Sequence, residues 1–183
     1  MRARAAEAQA DAWFELLRLH GLPGNAISIE ITEGLLMDSS RLVVQKLFQF
    51  REHGMQISLD DFGTGYSSLS YLNRLDIDYV KIDQSFVRTL RPDSKELALC
   101  EGIIAMAHKL GMQVIAEGVE TRAHWELLHG MGCDMGQGYL FSRPLAPADF
   151  EHLLDGWQLF NPSQGPREDL SDDAEGPPTI FMI

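Results

Sequence analysis

Five stretches that read as strands, each followed by a stretch that reads as a helix, set the strongest limit on how this chain folds. Residues 27–32 (Ile-Ser-Ile-Glu-Ile-Thr) alternate strictly, which places isoleucines on one strand face and Ser28, Glu30 and Thr32 on the other. Asp38-Ser39-Ser40 can cap a helix that runs to about Glu52 and stops at Gly54. Strands near 56–61, 78–83, 112–117 and 135–141 follow, with helices near 67–75, 94–110, 121–130 and 147–156. Repetition of that unit predicts an α/β fold on a parallel sheet with right-handed crossovers. Ahead of it, residues 2–20 repeat Ala10, Trp13, Phe14 and Leu17 at helical spacing before a stop at Gly21-Leu22-Pro23-Gly24. This leading helix carries an apolar stripe that needs a partner.

Each strand also holds a polar residue where an apolar core residue would be the default: Glu30, Asp60, Lys81, Glu117 and Gln137. Most of them lie in the second half of the strand or at its end. The C-terminal ends of parallel strands share one edge, so these side chains are expected to converge on a single mouth. Gathered carboxylates repel one another and take up protons unless a cation is present, so the set predicts a divalent metal. Oxygen ligands favour Mg²⁺, Mn²⁺ or Ca²⁺ over zinc, and none of the six histidines falls in a ligand motif with them. A lysine beside such carboxylates is paired and can orient a water or a phosphate, a combination that fits phosphoester hydrolysis.

Asp60 and Asp61 are adjacent, and neighbouring strand residues point to opposite faces. They can share one ion only if the strand ends there, which Gly63-Thr64-Gly65 favours. That segment lacks the third glycine of the dinucleotide fingerprint, so a flexible loop is the better reading. Taken singly, a strand-end acid such as Glu30, Asp61 or Glu117 is more often a helix cap or a loop hydrogen-bonder. The weight lies in the five positions together. The six histidines read as surface residues, and the Met and Phe residues at helical spacing as core.

The bulk numbers suit one soluble domain or part of one: 183 residues, 45% of them hydrophobic, with a formal charge of -12. No Lys/Arg cluster offers a footprint for duplex nucleic acid. Cys100 and Cys133 lack the spacing of a zinc or redox motif and read as reduced thiols of a cytoplasmic protein. No apolar run reaches the roughly 18 residues of a membrane span. From Asn161 onward Pro, Gly, Ser, Asp and Glu dominate, which reads as a disordered acidic tail with an apolar ending, Thr179-Ile180-Phe181-Met182-Ile183.

With these motifs in place, the chain resembles the EAL family of cyclic di-GMP phosphodiesterases, named for a Glu-Ala-Leu motif. The matching stretches are Ile29-Glu30-Ile31-Thr32-Glu33, Leu59-Asp60-Asp61-Phe62-Gly63-Thr64-Gly65-Tyr66-Ser67-Ser68-Leu69, Val80-Lys81-Ile82-Asp83, Ala116-Glu117-Gly118-Val119-Glu120-Thr121 and Gly136-Gln137-Gly138-Tyr139-Leu140-Phe141-Ser142-Arg143-Pro144. They span about residues 10 to 155. The resemblance implies a modified TIM-like (β/α)8 barrel, of which this chain supplies about five parallel strand-helix units. It also implies opening of cyclic di-GMP to linear pGpG with Mg²⁺ or Mn²⁺. By position, Glu30, Asp60 and Asp61 would be metal ligands, with Asp60 between two metals. Lys81 would hold the attacking water, Glu117 would act at the second metal or as proton acceptor, and Gln137 would help line the site. Glu33 would anchor the loop after Asp61, which in the family links metal and substrate occupancy to dimer contacts.

The departure from the family pattern carries its own expectations. Family members have three strands ahead of the position of Ile27, including the Glu-Ala-Leu motif and a strand with a metal-binding Asn, and residues 1–26 contain neither. The first metal thereby loses two expected ligands, and the substrate-binding Arg that follows Glu-Ala-Leu is absent. About eight strands close such a barrel, so five are expected to leave the Ile27–Thr32 edge and an apolar interior open. Residues 1–160 are read as a partial phosphodiesterase domain, with 1–26 a leading helix and loop and 27–160 the strand-helix units. Residues 161–183 are read as the tail. The expectation is a fragment of a longer protein, a truncated gene product, or a chain completed by a homodimer or another polypeptide. Its function would be cyclic di-GMP hydrolysis with an incomplete site or, alternatively, inactive binding of cyclic di-GMP or of a protein in second-messenger signalling.

Overall fold

The computed structural model describes residues 12–37, 41–65 and 75–155. The chain divides into two compact units, before and after the Val80–Lys81 bond, and each is taken by itself. The first holds helix α1 (12–20), a 3-10 turn at Gly24–Ala26, strand β1 (Ser28–Thr32), helices α2 (Glu33–Met37) and α3 (Arg41–Glu52), strand β2 (Gln56–Phe62) and the start of β3 (Tyr79–Ile82). The second holds the rest of β3, α4 (Gln84–Val87), α5 (Lys95–Lys109), β4 (Gln113–Glu117), α6 (Arg122–Gly130), β5 (Met135–Gln137) and α7 (Pro147–Asp155). Hydrogen-bonded strand order follows the chain, β1-β2-β3-β4-β5, and the β1–β2 and β4–β5 pairs are parallel. This is the parallel α/β architecture that the alternating units require.

In the first unit the β1–β2 register runs from Ser28 beside Gln56 to Thr32 beside Asp60. Partners in a parallel pair share a face, so Ile29, Ile31, Ile57 and Leu59 form one layer, and Ser28, Glu30, Thr32, Gln56, Ser58 and Asp60 the other. Ile31, Ile57 and Leu59 are buried, each worth roughly 1.5–3 kcal/mol of transfer free energy, while Ile29 is only half-buried. The second face of this pair is polar. The stripe of α1 finds its partner in α3. Phe14 stacks on His53 with ring centroids 3.6 Å apart and meets Phe50 edge-on at 5.9 Å, and Leu17 is buried.

In the second unit, α5 buries Cys100, Ile103, Ile104 and Ala107, the i, i+3, i+4, i+7 stripe of a helix lying on a sheet. Ser94 caps it by accepting from Leu97 N–H, and Thr121 caps α6 by accepting from His124 N–H. Between an exposed Gln113 and a half-buried Glu117, β4 is apolar on both faces, with Val114, Ile115 and Ala116 buried. Cys100 and Cys133 are free and buried, and burial pushes their thiols up to about 11 and about 12. The described histidine rings are exposed apart from His124, which is half-buried.

Several expectations need correction. β5 ends at Gln137 instead of near 141, because the Gly138 carbonyl accepts from Phe141 and Ser142 N–H and turns the chain. β2 runs one residue further, to Phe62. The short helices α2 and α4 were not anticipated; α4 is set by Asp83, whose carboxylate accepts from Ser85 N–H at 3.0 Å. The expected helix near 67–75 falls outside the described residues except for Leu75, which is not helical. Ala10, the Asp38-Ser39-Ser40 cap and the 161–183 tail also lie outside them. No described helix is long and apolar enough to cross a membrane.

Candidate active site

The first unit brings its polar residues to the end of β2. Glu30 stands beside Ser58 and Thr32 beside Asp60, on one face of the pair. Continued alternation would place Asp61 with Ile57 and Leu59 in the apolar layer. Instead Asp61 adopts a left-handed backbone, φ 56°, which costs a non-glycine residue about 1–2 kcal/mol. The outcome is an exposed Asp61 carboxylate and a buried Phe62 side chain. So the alternation that would part the two acids is broken inside the strand, and not by the strand's ending there as the sequence suggested.

The loop that follows is tied down. Thr64 Oγ1 donates to the Asp61 carbonyl at 2.9 Å, and Gly65 N–H donates to Glu33 Oε2 at 3.1 Å. Glu33 is 5% exposed and opens α2 directly after β1, so the end of one strand holds the loop after the next. A Cβ on Gly65 would lie 3.0 Å from the same carboxylate oxygen, a tight approach.

The second unit holds a buried ion pair. Lys81 is 4% exposed, and its Nζ lies 2.5 Å from Glu117 Oε1, whose side chain is 20% exposed. An ammonium at that depth requires a carboxylate partner. Gln137 stands beside Glu117 in the β4–β5 register. Beyond the strand ends, Val119 N–H donates to the Gln137 carbonyl and Leu140 N–H donates to the Val119 carbonyl, both at 3.0 Å. Gly138 passes so close that an added Cβ would lie 2.3 Å from the Val119 oxygen.

Beside Glu117 and Gln137 opens a cavity of about 220 Å³, which Gln84, Arg88, Glu120 and Tyr139 also line. Arg88 Nε donates to Glu120 Oε1 at 3.2 Å, and the Arg143 guanidinium sits 5.0 Å from the centre of the Tyr139 ring. These residues were missed as candidates. Glu120 and Tyr139 stand inside the quoted motifs, and their nearness to Glu117 and Gln137 along the chain was the available signal. Arg88 and Gln84 had none, since only folding carries α4 to the ends of β4 and β5.

Each unit offers donors suited to a hard divalent cation. In the first, Glu30, Asp60 and Asp61 carry carboxylates alone, and the left-handed turn leaves Asp61 exposed; in the second, Glu117 carries another. Zinc, which favours nitrogen and sulfur, fits them less well.

Comparison with known proteins agrees with this architecture. A family model described as EAL domain matches residues 2–144. Cyclic di-GMP phosphodiesterase NbdA of Pseudomonas aeruginosa is 43% identical over 139 residues, which cover 76% of this chain and 18% of the relative. The solved structure of PaMucR phosphodiesterase in complex with c-di-GMP superposes with a TM-score of 0.73 at 38% identity, over 77% of this chain and 63% of the other. Klebsiella pneumoniae BlrP1, solved with manganese and cyclic di-GMP, gives a TM-score of 0.67 at 35% identity, over 73% and 34% of the two chains. The chain spans about a fifth of the length of the curated relatives it matches. Solved EAL domains share a TIM-like barrel fold, and this chain belongs to the EAL domain family.

Proposed function

We propose that this chain hydrolyses cyclic di-GMP to linear pGpG, with Mg²⁺ or Mn²⁺ as cofactor. The observation that carries the reading is the buried Lys81–Glu117 pair at the strand ends of an EAL-family chain. A relative named as a cyclic di-GMP phosphodiesterase and neighbours solved with that dinucleotide and manganese support it.

Glu30, Asp60, Asp61 and Glu117 are the residues we assign to hold the cation. When bound, it supplies charge stabilisation for the phosphate and lowers the pKa of water. The Lys81 ammonium holds the attacking water by hydrogen bonding and faces the charge that develops on the phosphate oxygens. Glu117, its partner, takes up the proton as the water oxygen bonds to phosphorus, and the O3′ released as its bond to phosphorus breaks takes a proton from solvent to leave as the 3′-hydroxyl. Gln137 hydrogen-bonds the dinucleotide, and Glu33 holds the loop after Asp61 in place through Gly65. Cytoplasmic localisation and a homodimer, or pairing with another polypeptide that adds ligands, belong to the same proposal.

Incubation of the chain with cyclic di-GMP and Mn²⁺, followed by chromatography, tests the reading. Formation of pGpG that chelation abolishes and Lys81→Met suppresses is expected. Binding of cyclic di-GMP without turnover would leave the module a receptor, and absence of both would overturn the proposal.

A further inference from the structure

Helices α3 and α5 each carry in the last turn a basic side chain that reaches an aspartate. In the first unit Asp78, one residue before β3, accepts from Ile57 N–H at 2.7 Å and pairs with Arg51 Nη1 at 2.8 Å. In the second, Asp134, one residue before β5, accepts from Val114 N–H at 2.8 Å through Oδ2, and the same oxygen lies 2.8 Å from His108 Nε2. Ile57 and Val114 are both the second residues of their strands. Amide and acid are 21 residues apart in one case and 20 in the other, and basic side chain and acid 27 and 26. The chain builds one device twice, at the entry ends of its strands.

At β5 that device has a decision to make. The strand is three residues long, so its ladder with β4 offers few bonds to set register. A slip of one residue would carry Gln137 from the face of Glu117 to that of Gly136. There an added Cβ would already meet the Trp125 and Phe141 rings at 2.7 and 2.9 Å. Asp134 and Val114 clasp the entry end, and Val119 bonded to Gln137 and Leu140 clasps the exit.

We propose that Asp134 is a positioning residue for the site: by accepting Val114 N–H it sets the register of β5 on β4 and holds Gln137 beside Glu117. The inference deepens the phosphodiesterase reading, to which Glu117 and Gln137 belong, but its test needs no turnover. Amide hydrogen exchange of the whole chain, resolved by residue, compares Asp134→Ala and Asp134→Asn with the unaltered protein. The amide oxygen of Asn keeps an acceptor for Val114 N–H and loses the charge. Protection of Val119 and Leu140 is expected to fall about tenfold or more beyond that of Ile104 in α5 for Ala, and by less for Asn. If Asp134→Ala does not fold, Asp134→Asn carries the test through the same difference. Equal loss at Val119, Leu140 and Ile104, or no loss at the first two, would overturn the proposal, whether or not the chain hydrolyses cyclic di-GMP.

Discussion

Lys81 Nζ and Glu117 Oε1 lie 2.5 Å apart, and the lysine is the more deeply buried of the two. Lys81→Met keeps the length and apolar stem of the side chain and removes its ammonium. On the proposed function, turnover of cyclic di-GMP should fall by about 10²–10⁴-fold, the loss that follows removal of a group acting on the reacting water. Glu117 keeps access to water, so the stability cost is held to roughly 1–3 kcal/mol. Steady-state rates and urea unfolding of the same preparation separate the two effects.

Asp78 satisfies the Ile57 amide and the Arg51 fork together. Asp78→Ala leaves a backbone donor and a guanidinium without this acceptor and is expected to destabilise by about 2–3 kcal/mol. Arg51→Ala removes part-exposed ion pairs to Asp78 and Asp76 and leaves the amide bond, and should cost about 1 kcal/mol or less. Equal shifts in denaturant midpoint for the two variants would contradict the assignment of the amide bond as the larger contribution.

Two glycines separate backbone demand from helix propensity. Gly138→Ala drives a Cβ to 2.3 Å from the Val119 carbonyl oxygen, a backbone atom that cannot swing aside, and should cost about 3 kcal/mol or more. Gly102 lies in α5 with nothing within 4 Å of its added Cβ, so Gly102→Ala should stabilise by about 0.5–1 kcal/mol. Thermal unfolding of both variants should therefore shift in opposite directions.

Burial raises the Cys100 and Cys133 thiols from 9.0 to about 11 and about 12. Folding favours the protonated thiol, so the contribution is complete below about pH 9 and is lost as pH rises through the window to about 11–12. Stability measured against pH should decline across that window, and less steeply in a Cys100→Ala, Cys133→Ala variant. At pH 8 iodoacetamide should alkylate the native chain slowly and the urea-unfolded chain rapidly.

Strand-helix alternation and the polar residue in each strand were legible in the sequence because they rest on local periodicity. Ser28, Glu30 and Thr32 alternate with isoleucines whatever the rest of the chain does, and α5 shows its buried stripe in its spacing. Glu30, Asp60, Lys81, Glu117 and Gln137 could be named for the same reason. Only tertiary structure decided how they are held. The left-handed backbone at Asp61 opposes the alternation of its own strand, and it places Asp61 in solvent and Phe62 in the core. Beyond Gln137 the chain turns on the Gly138 carbonyl, and there Gly138 lies against Val119, nineteen residues earlier in the chain. Arg88 beside Glu120, His108 on Asp134 and Arg51 on Asp78 are pairings 32, 26 and 27 residues apart, with whole strands or helices between the partners. Hydrophobic period names a face, whereas the partner of a charge or a backbone amide is set by which strand comes to lie beside it.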